Sequence, residues 1–494
     1  VAQGLGPDLS WSFSAVAINR IAGVTTVAIE DPADTSAVAR IAEHLGTPVL
    51  TVHAGARTIE ECLEHFFPKG FESRSDIDAI VEHLTPSGLG LTLDATTMSY
   101  GAEPEGDDQP VVQLVRSIIE DACTARASDI HLEPRTDTLV IRLRIDGSLH
   151  QRVTLPKFWG RPVLSRLKIM AGLDISQRRL PQDGRILVEL QGRRVDLRLA
   201  TTTTTEGEGA VLRILDGGRQ ILTLEQLGLD HQQLSQVRRI FSAREGFVLA
   251  TGPSGSGKTT TLYGMLRELN TPERKIVTLE DPVESELEAA FQIGVNPKIG
   301  LTFGEGLRSV LRLDPDVILV GEIRDGETAR TAVQAALTGH LVLSSLATLG
   351  TAATISRLQD IGVDRFLVAD TLRGVIAQRL VKRVCRHCRR PARPSQLLLD
   401  LARVGPDDGP FFAGSGCDQC RNTGYMGRIA LFEIMVASPE LYSLIGHDGS
   451  SAEIQSAAVA DGMITMFEDG LAKVRAGQTT LEEVVAVTRG SMKR

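Results

Sequence analysis

Apolar positions along the chain recur with two different periods, and the places where the period changes divide it into segments. Val24 to Ile29 reads as a strand, Ser36 to Leu45 as a helix, Pro48 to Val52 as a strand and Thr58 to Phe66 as a helix. These predict a small α/β domain over residues 1–100. The polar, acidic, Gly- and Pro-rich stretch at 101–110 reads as a linker. Val111 to Ala125 then has the spacing of an amphipathic helix. From Leu139 to Ile145 the period drops to two, with Ile141, Leu143 and Ile145 on one face and Arg142 and Arg144 on the other, ending at Asp146-Gly147. Asp183-Gly184 reads as a second turn ahead of Ile186, Val188 and Leu190, and Gln191-Gly192 as a third ahead of Val195, Leu197 and Leu199. These are hairpin signals, so residues 111–220 are predicted to form a β-rich lobe. The threonine run Thr201 to Thr205 reads as part of a surface loop.

Between about 231 and 345 apolar strands alternate with helical spacing, which predicts an α/β fold around a mostly parallel sheet. The second lobe spans 221–494, with cysteine pairs in 381–428 and a mostly helical pattern over 436–494. The strand Phe247 to Ala250 runs into Gly252-Pro253-Ser254-Gly255-Ser256-Gly257-Lys258-Thr259-Thr260. The stretch fits G-x-x-x-x-G-K-[ST], a phosphate-binding loop. Glycines let successive N–H groups turn inward toward phosphate oxygens. Lys258 is placed to reach the β- and γ-phosphates, and Thr259 to hold Mg²⁺. Leu262, Met265, Leu266 and Leu269 show that a helix starts at the loop, with its positive end under the phosphates.

Hydrolysis needs carboxylates as well as a cradle. Val317 to Val320 is an apolar strand that delivers Glu322, a candidate Mg²⁺-directing acid. Ile276 to Leu279 is another, ending at Glu280-Asp281-Pro282, and Glu280 is the candidate for polarising water. Parallel strands present their carboxyl ends on one edge, so both acids should stand beside the loop. The alternative for each, a solvated loop charge, is the lesser reading beside the phosphate loop.

Composition narrows the partners. The net charge is −9 with a pI near 5.7, which argues against nucleic acid or an anionic membrane surface. No signal peptide and no long apolar run is found, so a cytoplasmic chain without a transmembrane segment is expected. Four of the six cysteines form Cys385-x-x-Cys388 and Cys417-x-x-Cys420. Two such knuckles suit tetrahedral Zn²⁺ with no open position, a structural site; His387 is the one rival ligand.

In their order, these motifs resemble the ATPases of type II secretion and type IV pilus systems from residue 111 onward. The match includes Ser128-Asp129-Ile130-His131-Leu132-Glu133-Pro134, Arg144-Ile145-Asp146-Gly147 and Leu180-Pro181-Gln182-Asp183-Gly184-Arg185. It continues through Glu280-Asp281-Pro282-Val283-Glu284, Leu307 to Asp316, Val320 to Asp325, Leu337 to Val342 and Gln378-Arg379-Leu380-Val381, and closes with Thr423 to Arg428. The resemblance implies a RecA-like P-loop ATPase domain, preceded by a β-rich PAS-like α+β domain and a small N-terminal α/β domain. It implies a homohexamer binding ATP between its two lobes, with Arg198 and Arg213 reaching the phosphates from the β-rich lobe. Arg308 and Arg312 would contact nucleotide or couple neighbouring sites. Implied partners are an inner-membrane platform protein and the cytoplasmic domain of a membrane assembly protein, which would recruit the chain to the inner membrane. The tetracysteine module favours assembly and secretion motors over retraction motors.

One departure bears on turnover. The family usually continues after the Thr338-Gly339-His340 motif with Ser-Thr-Leu-His-Thr-Asn, where this chain reads Ser344-Ser345-Leu346-Ala347-Thr348-Leu349. Ala347 replaces a histidine that belongs near the phosphates, and the Thr351 hydroxyl is the expected stand-in. The sequence therefore predicts an ATP-driven motor for pseudopilus or pilus assembly, with a slow or inactive nucleotide-gated scaffold as the alternative. A DNA or conjugation motor is disfavoured by the acidic balance. Ala347→His is expected to raise steady-state phosphate release; an unchanged rate would refute the idea that this position limits turnover.

Overall fold

The computed structural model describes residues 110–190, 193–215 and 221–488, with 5, 10, 13–21, 24–32, 34–55, 58–59 and 62–63. The expected linker up to residue 109, the Gln191-Gly192 turn and most of the helix read over 58–66 lie outside the described residues. Two compact units result, residues 1–75 with 415–424 and residues 76–414 with 425–494.

In the first unit, β1 (Ala15–Ile21) pairs antiparallel with β2 (Val24–Ile29), which pairs parallel with β3 (Val49–His53). Helix α1 (Thr35–Leu45) begins where the Asp34 carboxylate accepts from the N–H groups of Ser36 and Ala37. Ile41 and Ala37 pack on Val27 and Ile29. Strand β1 escaped sequence reading because its register shifts between Ala17 and Asn19, which breaks the alternation.

The second unit opens with α2 (Pro110–Thr124) and a six-stranded antiparallel sheet. Its strands are β4 (Asp129–Pro134), β5 (Thr138–Ile145), β6 (Ser148–Pro156), β7 (Gln182–Leu190), β8 (Arg193–Thr204) and β9 (Gly207–Leu215), ordered β6-β5-β4-β9-β8-β7. With α3 (Gly160–Met170), α2 covers the apolar face, where Leu114, Ile118, Leu164 and Leu167 meet Ile130, Ile141, Leu143 and Leu197. Asp146 and Gly147, both at positive φ, form the two-residue turn between β5 and β6.

Two expectations are corrected here. Asp183-Gly184 lies inside β7 and is not a turn; a Cβ on Gly184 would stand 2.9 Å from Ala171, so the glycine serves close packing. Thr201 to Thr204 are not a loop but the end of β8, paired with β9 as β-branched residues favour.

The remaining chain builds a seven-stranded sheet flanked by helices. After α4 (His231–Phe241) come β10 (Gly246–Thr251), α5 (Lys258–Leu269), β11 (Ile276–Glu280), β12 (Phe291–Gly294) and α6 (Phe303–Val310). Then follow β13 (Val317–Val320), α7 (Gly326–Leu337), β14 (Leu341–Leu346), α8 (Thr351–Asp360) and β15 (Leu372–Val384). The small pair β16 (Arg389–Pro391) and β17 (Phe412–Gly414) precedes β18 (Tyr425–Val436). Strand order is β12-β11-β13-β14-β10-β15-β18, parallel except for β18 against β15. Every residue of β10, β11, β13 and β14 is buried, which explains why none of them alternates strictly between apolar and polar residues. Strands β15 and β18 form a long antiparallel ribbon, and the region expected to be mostly helical, 436–494, holds the helices from Pro439 to Thr488.

A buried ion pair ties those helices to the sheet. Asp469, on the helix Met466–Arg475, accepts from Lys473 Nζ at 2.6 Å, from Gln233 Nε2 of α4 at 2.9 Å and from the Phe432 N–H of β18 at 2.8 Å. Removing the carboxylate would strand a buried ammonium. Asp469→Ala should therefore lower unfolding stability in urea by about 3–5 kcal/mol, and a loss below about 1 kcal/mol would refute the role given to this pair.

Candidate functional site

The phosphate loop leaves the tip of β10, the strand held between β14 and β15. Two glycines have no substitute there. Gly252 sits at φ +152°, and a Cβ would lie 2.4 Å from Ser256 Oγ and 2.5 Å from the Gln378 carbonyl. Gly257, at φ +91°, would meet Gln378 Nε2 at 2.9 Å. That amide donates to the Ser256 carbonyl at 2.7 Å, so Gln378 of β15 braces the loop from behind. Pro253, Ser254 and Gly255 face solvent, as does Thr260 in the first turn of α5. Lys258 folds back over the loop, its Nζ donating to the carbonyls of Gly252 at 2.9 Å and Pro253 at 3.1 Å.

Charges converge on this lysine. Crowding by the protein pulls the Lys258 pKa below its ordinary value, Arg379 adds to the effect, and Glu322 and Glu284 oppose it. Glu322 follows β13 and pairs with Arg324. Glu280, at the end of β11, is buried. Its carboxylate accepts from Tyr263 at 2.7 Å, Thr278 at 2.7 Å and Gln292 at 3.3 Å. Burial beside that carboxylate raises the Tyr263 phenol well above its usual range. From this strand tip the carboxylate whose charge acts on Lys258 is Glu284, and the Thr259 hydroxyl favours its ionised form. Glu284 is exposed, and the charges of Glu280, Arg198 and Arg213 all act on its carboxyl. Lost hydration pushes its pKa up and Glu280 adds to this, while Arg198, Arg213 and Thr259 pull it down. Glu284 was legible as the last residue of Glu280-Asp281-Pro282-Val283-Glu284, but nothing in the spacing ranked it above Glu280.

Arg198 and Arg213 therefore stand within electrostatic reach of the second lobe. They are cross-strand neighbours on β8 and β9, on the polar face of the six-stranded sheet, and Arg213 contacts Asp129 at 3.3 Å. The lobes also meet where the Gly427 N–H donates to Asp146 at 2.8 Å. That bond joins the Asp146-Gly147 turn to the Thr423–Arg428 motif. Arg308 and Arg312 are placed differently: Arg308 pairs with Glu305 and Glu327 along α6 and α7, and Arg312 is exposed. Neither appears among the charges acting on Lys258 or Glu284.

The stand-in expected at Thr351 is corrected. Its hydroxyl is buried and donates to Glu433 at 2.8 Å, so it is committed away from the loop. Thr348 is the hydroxyl that touches the loop's root, bonded to Thr251 Oγ1 and lying 2.8 Å from Thr354 Oγ1.

The sulfurs of Cys385, Cys388, Cys417 and Cys420 lie within 4.8 Å of one another, and His387 is not part of that group. Tetrahedral Zn²⁺ with bonds of about 2.3 Å sets its sulfurs about 3.8 Å apart. Cys417 and Cys420 Sγ are 3.7 Å apart, which fits. Such an ion would clip the chain structurally and offer no open position for catalysis.

A phosphate loop on an inner strand of a mostly parallel sheet, with acids at the tips of β11 and β13 on the same edge, defines a P-loop ATPase of RecA-like fold. The family profile described as Type II/IV secretion system protein matches residues 104–486. The chain is 41% identical over 490 residues to a type II secretion system protein E of Xanthomonas campestris pv. campestris, covering 98% of this chain and 85% of that protein. It is 42% identical over 479 residues to the type IV pilus assembly ATPase PilB of Myxococcus xanthus, covering 96% and 84%. The X-ray structure of the Legionella pneumophila ATPase DotB shares the fold at 23% identity, with a TM-score of 0.59 over 78% of this chain and 98% of that one. The chain belongs to the type II/IV secretion system protein family.

Metal analysis of the purified chain is expected to return one zinc per chain. Loss of that zinc in Cys385→Ser would fit four thiolate ligands, whereas full retention would remove Cys385 from the set.

Proposed function

We propose that this chain is a hexameric ATPase that powers pseudopilus or pilus assembly from the cytoplasmic face of the inner membrane. The observation that carries this reading is the braced phosphate loop, with the charges of Glu322 and Glu284 both acting on its Lys258. Names and order of similarity support it too, since relatives over nearly the whole chain are a secretion protein E and a pilus assembly ATPase. Among the described residues no helix is long and apolar enough to cross a membrane. Recruitment would run through protein, by way of an inner-membrane platform protein and the cytoplasmic domain of a membrane assembly protein.

Lys258 would exchange the carbonyls of Gly252 and Pro253 for β- and γ-phosphate oxygens. Gly252, Pro253, Ser254, Gly255, Ser256 and Gly257 would supply the main-chain cradle, and Thr260 would extend it into α5. Glu322 and Thr259 would hold Mg²⁺, which would supply positive charge to offset that of the phosphates. We assign Glu284 the position facing the attacking water, with Glu280 fixing the strand tip behind it through Tyr263, Thr278 and Gln292. Arg198 and Arg213 would approach the phosphates from the β-rich lobe, where planar guanidinium groups match phosphate oxygens. Arg308 and Arg312, turned away from their own loop, would couple neighbouring subunits.

Steady-state phosphate release from the purified chain tests the proposal. Lys258→Ala should abolish it. Glu284→Gln and Glu322→Gln should each lower it by about a hundredfold or more, as loss of a base or a metal-directing acid does. Release by the unaltered chain no faster than by Lys258→Ala would replace the motor with a nucleotide-gated scaffold.

A further inference from the structure

Strands β14 and β15 flank β10, and Thr251 at the tip of β10 is paired with Leu346 on one side and Ala377 on the other. Arg379 lies two residues beyond that pairing on β15. Its Nη1 donates to the Gln378 carbonyl at 2.9 Å and its Nη2 to the Leu349 carbonyl, beyond the end of β14, at 2.9 Å. To reach from β15 to the loop after β14, the side chain must cross the tip of β10, where the phosphate loop begins. The Gln378 carbonyl that it binds is the same atom that packs against Gly252.

Arg379 is buried, with 8% of the residue exposed, and among the described residues no carboxylate lies within ion-pairing distance of it. Glu433 is the acid that acts on it from nearby. The Glu433 carboxylate is already engaged by the Thr351 N–H and hydroxyl, by Gln455 and by the Met466 N–H. A buried cation held only by carbonyls is costly unless an anion arrives to balance it. The nearest place for such an anion is the phosphate loop, where Lys258 also lacks a direct carboxylate partner.

We infer that Arg379 is a second cation for the bound polyphosphate, reading the terminal phosphate of a nucleoside triphosphate across the tip of β10. The role rests on the ATPase reading and adds a residue to it. Ala347, in the segment between Leu346 and Leu349, brings no charge of its own, so the discrimination between tri- and diphosphate falls to the arginine that ties this segment down.

The test compares binding of fluorescent ADP and a fluorescent β,γ-imido ATP analogue to the full chain and its variants. Arg379→Gln should weaken the triphosphate analogue at least tenfold and ADP less than threefold. Equal weakening of both would mean that Arg379 only braces the loop, and no change would mean that it is idle; either overturns the inference. Arg379→Lys keeps a positive charge and covers the case in which the glutamine variant fails to fold. A buried lysine there can lose its proton, whereas arginine cannot. Its preference for triphosphate over diphosphate should decline from about pH 7 to about pH 9.5 more steeply than that of the unaltered chain. Parallel pH profiles would overturn the inference. Failure of the unaltered chain to bind either nucleotide would sink the ATPase reading itself, whereas normal binding with an unaltered preference in Arg379→Gln sinks only the role of Arg379.

Discussion

The site depends on how closely the phosphate loop approaches strand β15. The Gln378 carbonyl sits where a side chain on residue 252 would have to go, and the Gln378 amide holds the Ser256 carbonyl. Only glycine fits such an approach, and only a parallel strand in register with β10 can supply the brace. The loop is thereby fixed from behind, so its N–H groups and Lys258 are left to face forward. Acids then arrive because β11 and β13 are parallel members of the same sheet and end on the same edge.

Much of this was legible in the residues. The loop, the strand before it and the helix after it followed from a short motif and a 3.6-residue period, and the structure has each of them. Mainly apolar runs at Ile276–Leu279 and Val317–Val320 gave two buried strands. Other features were hidden for physical reasons. Gly184 looked like a turn residue because Asp-Gly is a turn signal, yet its use is to admit Ala171. The threonines of β8 looked polar enough for a loop, although β-branching suits a paired strand. Strand β18 is buried over most of its second half, so it shows no alternation by which to recognise it.

Within the site, sequence identified residue types better than it did side-chain direction. Glu280 and Glu284 share one short motif, and only packing separates them: one is enclosed by Tyr263, Thr278 and Gln292, the other meets Thr259. Thr351 and Thr348 divide in the same way, since the partner of Thr351 is a buried glutamate from far along the chain. Contacts between distant segments, such as Asp146 with Gly427, leave no trace in local spacing. They fix one lobe against the other through main-chain groups that no local pattern marks.

Lys258 is already occupied by two carbonyls of its own loop. A newcomer must therefore outbid contacts that cost nothing to keep. Chloride or a lone phosphate offers too little in exchange, while a chain of three phosphates can satisfy the ammonium and the surrounding amides together. The loop's own carbonyls thereby set the threshold that any anion has to exceed before Lys258 turns to it.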